Sequence, residues 1–422
     1  MDTENEKSIF CAKSMIGRPG EILSSPNLTL NDLRNKLAQD LQVDHLNFLI
    51  GAGCSSYREK DIKANQMKEK SIPTMYELFK RFCNEHEDFS IGAVRTNGRF
   101  HDNLEEMIEA MLAVQVVDNT INTNLGQEQT FNKIDIQIDK KLRIVQNFIR
   151  EQIKNGMVVS NVDGNKEYSP VLSLYEEFYQ KIAQRSRENP INIFTTNYDL
   201  FNELALDTLG FPYNNGFTGA YKRKFNPLSY HYMYVENLNL HDTVWQKVSN
   251  FFNLVKLHGS ISWVREKEEI LEKNYEEIGA DETVMIYPTP LKDRSTLMVP
   301  YSDLFRMMEN QLALRNSLLI VLGYSFSDDH INRVIFNGFR NPSFRLVVFG
   351  DPESNKGIMK LLKLGDPRIS VIYSKDKENK IHYFKNFVEK ALPDITPDIK
   401  ESVETKSSSE LIGQFERVER SE

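Results

Sequence analysis

"FLIGAGCSS", Phe48 to Ser56, ends an apolar run in Gly-Ala-Gly and a polar cluster. A short buried strand turning on glycine is how a nucleotide-binding α/β fold begins. Gly51 and Gly53 let backbone approach a phosphate, and a following helix would offer its first N–H groups. Ser55 could add a hydroxyl. The turn lacks the third glycine of the dinucleotide fingerprint. It also lacks the Gly-Lys-Ser/Thr of a P-loop, which argues against ATP held in that manner. Taken alone, the turn reads more readily as a tight strand-to-helix connection without a ligand.

The flanking sequence supports a sheet. Leu30, Leu33, Leu37 and Leu41 recur at helical intervals upstream. Downstream, the charged "YREKDIKANQMKEKS" reads as a surface loop, and "SIPTMYELFKRFC" as a helix with Pro73 near its first turn. "PINIFTTNYD", "NLVKLHGS", "TVMIYPT", "SLLIVLGYS" and "FRLVVFGD" are short apolar runs ending in Gly, Ser, Thr, Asn or Asp. Such runs predict a parallel sheet covered on both faces, with any ligand at the C-terminal strand ends. From about 100 to 188 three apolar stripes recur with helical spacing: Leu104/Met107/Ile108/Met111, Leu142/Val145/Phe148/Ile149 and Val171/Leu174/Tyr175/Phe178. They predict an inserted helical module, each stripe serving core packing first. The expected class is α/β, a Rossmann-like parallel sheet with that insert. Residues 1–43 form an arm and a helix, with 1 to about 28 extended or looped. Residues 44–393 form the main domain. Residues 394–422 are a polar tail, disordered or a late-docking helix.

Composition narrows the function. The 422 residues are 40% hydrophobic and 27% charged, with a formal net charge of −8, so this is no globally basic nucleic-acid binder. "YKRKF", Tyr221 to Phe225, is a short basic-aromatic run that reads as a solvated loop; direct nucleic-acid binding is not expected. The three cysteines form no CxxC pair and cannot supply a four-cysteine zinc ribbon. The polar N-terminus lacks a signal-like apolar region, and no run of about 18 apolar residues suits a membrane. A cytoplasmic location is expected.

Three further clusters sit at strand ends. In "TTNYD", Asn197 and Asp199 suit ribose hydroxyls and a ring substituent, or else an Asx turn or helix cap. In "LHGS", His258 beside Gly259 suits a general base, or else a structural histidine. In "GYSFSDD", Gly323, Ser325 and Asp328 repeat the logic of the first turn, or else begin a capped helix.

In this order, GAG-x-S, T-x-N-x-D, L-H-G-S and G-x-S together resemble the sirtuin superfamily, over roughly residues 44 to 350 minus the insert. The resemblance implies a sirtuin-type fold with NAD as substrate and no metal. Gly51, Ala52, Gly53 and Ser55 would line the phosphates and adjacent ribose. Asn197 and Asp199 would hold the nicotinamide ribose and nicotinamide end, with Thr196 and Gly259 beside them. His258 would be the base, and Gly323, Ser325 and Asp328 would sit on the adenosine side. Departures are the absent zinc ribbon, the absent peptide clamp, Thr196 in place of glutamine, and a charged stretch before Ser71-Ile72-Pro73-Thr74-Met75, which lacks Phe-Arg. The pattern is closer to sirtuin-like NAD hydrolases of bacterial anti-phage defence, and looks like the subunit paired with a HerA-type hexameric ATPase. That implies a NAD glycohydrolase depleting cellular NAD, silent until a partner or phage signal arrives and regulated by homo-oligomerisation or the partner ATPase, with insert and arm as assembly surfaces. The alternatives are a protein deacylase or ADP-ribosyltransferase, and a non-catalytic NAD or ADP-ribose sensor.

Overall fold

A computed structural model describes residues 9–14, 22–24, 28–61, 66–73, 75–86, 89–91, 94–95, positions between 104 and 114, 138–162, 165–185, 187–239, 244–267, 269–279, 300–374 and 380–394. Its centre is a nine-stranded sheet. In chain order the strands are β1 (Ile9–Ser14), β2 (Ile22–Ser24), β3 (His45–Ile50), β4 (Ile191–Thr195), β5 (Tyr213–Asn214), β6 (Phe252–Lys256), β7 (Ser317–Leu322), β8 (Arg345–Phe349) and β9 (Ile369–Ser374). Their spatial order is β5-β6-β4-β3-β7-β8-β9-β1-β2. All pairings from β5 to β9 are parallel, while β1 is antiparallel to β9 and to β2. Every residue of β4, β6, β7 and β9 is buried, as strands covered on both faces require. The expected Rossmann-like sheet is therefore present.

Helices α1 (Leu30–Asp40), α2 (Met75–Glu85), α3 (Ile138–Met157), α4 (Val171–Ile182), α5 (Phe201–Leu209), α6 (Tyr301–Leu312), α7 (Asp329–Gly338) and α8 (Lys356–Leu362) accompany it. A capping box starts α1: Thr29 Oγ1 accepts from Asp32 N–H, and Asp32 Oδ2 accepts from Thr29 N–H, both at 3.1 Å. From β3 the chain moves to one side through β4, out to the edge at β5 and back in to β6, then crosses past β3 to β7, β8 and β9. That reversal puts a topological switch point at the C-terminal ends of β3 and β7, the place where open α/β sheets bind ligands in a crevice.

Several expectations change. The N-terminal segment is not a free arm: Ile9, Cys11 and Ala12 are buried, and β1 covers the edge that β9 would otherwise expose. The charged stretch after the glycine turn is an antiparallel hairpin, Ser56–Asp61 with Gln66–Ser71. The three helical stripes are buried in one core cluster with Phe48 and Ile50, so their apolar faces are consumed inside the chain. Phe178 of α4 packs edge-on against Phe48 of β3, with ring centroids 5.1 Å apart. The "YKRKF" run enters a four-stranded sheet through Arg223–Phe225, and its three cations are paired. Lys222 meets Glu266 at 3.1 Å, Arg223 meets Glu272 at 2.6 Å and Lys224 meets Glu269 at 2.5 Å. "TVMIYPT" and residues 395–422 lie outside the described residues. Among the described residues no helix is long and apolar enough to cross a membrane.

Candidate active site

The glycine turn does not open an α-helix. Ala52–Ser55 form a single 3₁₀ turn, and the hairpin follows at once; α2 begins only at Met75. The turn is therefore not itself the start of a helix, as the sequence suggested. The hairpin is an excursion whose base closes where it opened: Ile72 N–H donates to Ser55 O at 3.2 Å. In space, GAG-x-S therefore runs on into Ile72-Pro73, although the whole of "YREKDIKANQMKEKS" separates them in the chain.

The glycines serve a backbone contact first. Gly53 N–H donates to Gly323 O at 2.9 Å and Gly51 N–H to Leu322 O at 2.8 Å, so the turns after β3 and β7 lie back to back. A Cβ on Gly51 would fall 2.5 Å from Gly323 O, and one on Gly323 would fall 2.6 Å from Cys54 N. Gly323 also has φ +63°, a left-handed conformation that favours glycine. Cys54 is wholly buried beneath this contact, and burial pushes its thiol well above the ordinary range. A thiol so held is a poor nucleophile.

The T-x-N-x-D segment rises from β4 onto this floor. Thr195 Oγ1 donates to Ile50 O at 2.9 Å and accepts from Asn197 N–H at 3.0 Å, fixing the turn to β3. Asn197 Nδ2 donates to Gly51 O at 3.1 Å and to Ser55 Oγ at 2.9 Å. Ser55 Oγ donates its own proton to Asp199 Oδ2 at 2.6 Å, and Asp199 Oδ1 accepts from Phe201 N–H at 3.2 Å. Asn197, Ser55 and Asp199 thus form one buried cluster. Asn197 Oδ1 is buried and takes no hydrogen bond among the described residues. A buried acceptor whose amide is anchored through its own Nδ2 on the other side suits a ligand hydroxyl or water.

A buried cation supports the cluster from below. Lys256, the last residue of β6, donates to the Asp199 backbone carbonyl and pairs with Glu203 Oε1 at 2.9 Å. Burial raises the Asp199 and Glu203 carboxyls; Lys256 is the leading influence in the other direction for both. Neither Lys256 nor Glu203 stood out in the sequence as a site residue. The available signal was a lysine ending a fully buried strand.

His258 follows two residues later. Leu257 N–H donates to Thr195 O at 2.8 Å and Ile261 N–H to Tyr198 O at 3.1 Å, so the L-H-G-S turn is laced to T-T-N-Y-D. The His258 and Tyr198 ring centroids are 6.3 Å apart. His258 Nε2 lies 3.8 Å from Asp328 Oδ2, both residues being buried. Asp328 is thus set against the histidine. Ser325 stands apart, exposed, its hydroxyl 2.9 Å from that of Ser327. Ala52 and Gly53 are exposed, Thr196 is half-buried and Gly259 is buried.

A family model for the SIR2-like domain matches residues 191–357. No curated protein matches the chain. The matched segment runs from β4 into α8 and contains Asn197, Asp199, His258, Gly323 and Asp328. Gly51, Gly53 and Ser55 lie before it but are hydrogen-bonded to its residues. Residues 191–357 accordingly support a sirtuin-like domain with NAD-related chemistry.

Proposed function

We propose that the chain hydrolyses NAD to nicotinamide and ADP-ribose. The observation that carries this reading is the Asn197 carbonyl oxygen, buried and without a hydrogen bond among the described residues, on a cluster laced to the His258 turn. The nicotinamide leaving group is already a cationic pyridinium and needs no acid. The C1′–N bond breaks with its electron pair returning to the ring nitrogen, and the ribose carbon becomes oxocarbenium-like. Water then bonds to C1′ and gives up a proton. Positioning and electrostatics supply most of the acceleration in such a reaction.

In this reading Asn197 Oδ1 accepts from a ribose hydroxyl or from the attacking water. His258 takes the proton, with Asp328 favouring the imidazolium that forms. Both carboxylate oxygens of Asp199 are engaged by Ser55 and Phe201, so Asp199 acts by positioning Asn197. Depletion of cellular NAD in phage defence, and control through self-assembly or a hexameric ATPase, extend the reading through its resemblance to defence-type sirtuin-like chains.

The test is chromatographic detection of nicotinamide from NAD, with and without the product of the neighbouring gene. His258→Ala should lose cleavage while keeping the wild-type circular dichroism spectrum. Wild-type turnover in that variant would remove His258 as base. NAD binding without nicotinamide release in the wild type would favour the sensor, and deacylation of an acetyl-peptide would favour the deacylase.

A further inference from the structure

Beside the proposed base stands a second imidazole. His258, Asp328 and His330 each bring one ligand-type atom to within 4.8 Å of the others. Asp328 is the N-cap residue of α7, yet its side chain makes no capping hydrogen bond; its carboxylate is turned toward His258 instead. The 3.8 Å between His258 Nε2 and Asp328 Oδ2 is a span that one ion bonded at about 2.0–2.2 Å to each donor bridges without rearrangement. His330 lies in the first turn of α7, half-buried and edge-on to Phe305 with ring centroids 5.4 Å apart; metal binding requires its side chain to move in from the wider spacing. The positive helix N-terminus is offset by the Asp328 and Asp329 carboxylates.

We propose that His258, Asp328 and His330 form a binding site for a divalent transition metal of the Zn²⁺ class, and that the metal silences the site. Two imidazoles and one carboxylate match the ligand preferences of such ions and leave a coordination position for water. This departs from the sequence-based expectation of no metal. The silencing half rests on the reading of His258 as base: the Nε2 lone pair holds either a proton or a metal, never both. Zinc and NAD cleavage then exclude each other, and removal of the metal restores the base.

The experiment titrates Zn²⁺ into the chelator-treated full chain by calorimetry, with nicotinamide release measured in parallel. One Zn²⁺ per chain is expected, with affinity lowered at least tenfold in His330→Ala and in His330→Asn. Both variants should cleave NAD at the metal-free wild-type rate and resist zinc. Co²⁺ in place of Zn²⁺ should give a spectrum without thiolate charge-transfer bands, which separates this site from Cys11, Cys54 and Cys83. Absence of stoichiometric binding overturns the proposal, as does unchanged affinity in both folded variants or a thiolate spectrum. Zinc bound with the expected dependence on His330, but no cleavage even in the metal-free chain, supports the metal site and overturns the proposed function instead.

Discussion

Two buried polar layers cross the same central strands. Toward the strand beginnings, Asn47 of β3, Asn192 of β4 and Asn253 of β6 sit in register as a ladder. Asn253 Nδ2 donates to Asn192 Oδ1 and Asn192 Nδ2 to Asn47 Oδ1, both at 2.9 Å. Asn47 Nδ2 continues to Ser317 Oγ of β7 at 2.9 Å. At the strand ends lie Ser55, Asn197 and Asp199. The ladder is held by neighbours along the sheet, and its amides specify strand order and register. Its last carbonyl, Asn253 Oδ1, is also unbonded among the described residues, but it lies within a fully buried strand. Asn197 is held from one side only, at a strand end beside the exposed Ala52 and Gly53. The same chemical group thus serves architecture in one layer and presents an acceptor to a crevice in the other.

The largest effect expected is on the support of the second layer. Lys256→Met leaves the Asp199 and Glu203 carboxylates buried without their cation, and should cost about 3–5 kcal/mol in denaturant unfolding. A loss below about 1 kcal/mol would mean that the cation holds nothing in place. Next, Asn197→Ala should lower nicotinamide release about 10²–10³-fold, the range for losing one polarising contact in a reacting site. It also removes the Nδ2 hydrogen bonds to Gly51 O and Ser55 Oγ, which should cost about 1–3 kcal/mol, so release is read per folded molecule. Asn192→Leu should cost stability alone. It strips partners from Asn47 and Asn253 and should cost about 3 kcal/mol of stability, with cleavage per folded molecule unchanged. If both asparagine variants lose activity and stability in equal proportion, the two layers are not separable.

The smallest effect concerns another unbonded buried group. His382 Nδ1 has no hydrogen bond among the described residues, and burial lowers the imidazole to about 4. The unfolded chain binds this proton more readily than the folded one between that value and the ordinary one near 6.5. Its contribution is therefore fully present above about pH 6.5 and lost as pH falls to about 4. The loss should reach about 2 kcal/mol after allowance for partial exposure, and His382→Phe should flatten that part of the stability curve relative to wild type. Parallel curves for the two proteins would contradict the assignment.

Strands β3, β4, β6, β7 and β8 were legible in the sequence, because a short continuous apolar run with a polar end is what a strand covered on both faces requires. β1 was not. Its six residues lie between polar stretches and gain their meaning from pairing with β9, more than 350 residues on. The asparagine ladder also escaped notice, although "HLNFLI", "INIFT" and "FNLVK" each interrupt an apolar strand with one asparagine. Alignment between strands is set by register, which no single run contains. At the site, Asn197, Asp199 and His258 were legible from residue type at strand ends. The pairing of Asp328 with His258 was not, because it depends on how the turn after β7 folds over the end of β6.

The back-to-back contact of the Gly51 and Gly323 turns has a consequence for redesign. The floor of the crevice is made of main chain pressed on main chain, with no room for a side chain on either surface. Substitution there can only break the joint between the two halves of the sheet; it cannot retune it. Any change of ligand preference must be introduced at the rim, at exposed positions such as Ala52 and Ser325. The molecule thus separates what must stay rigid from what is free to diversify, and directed evolution of a new preference should be confined to that rim.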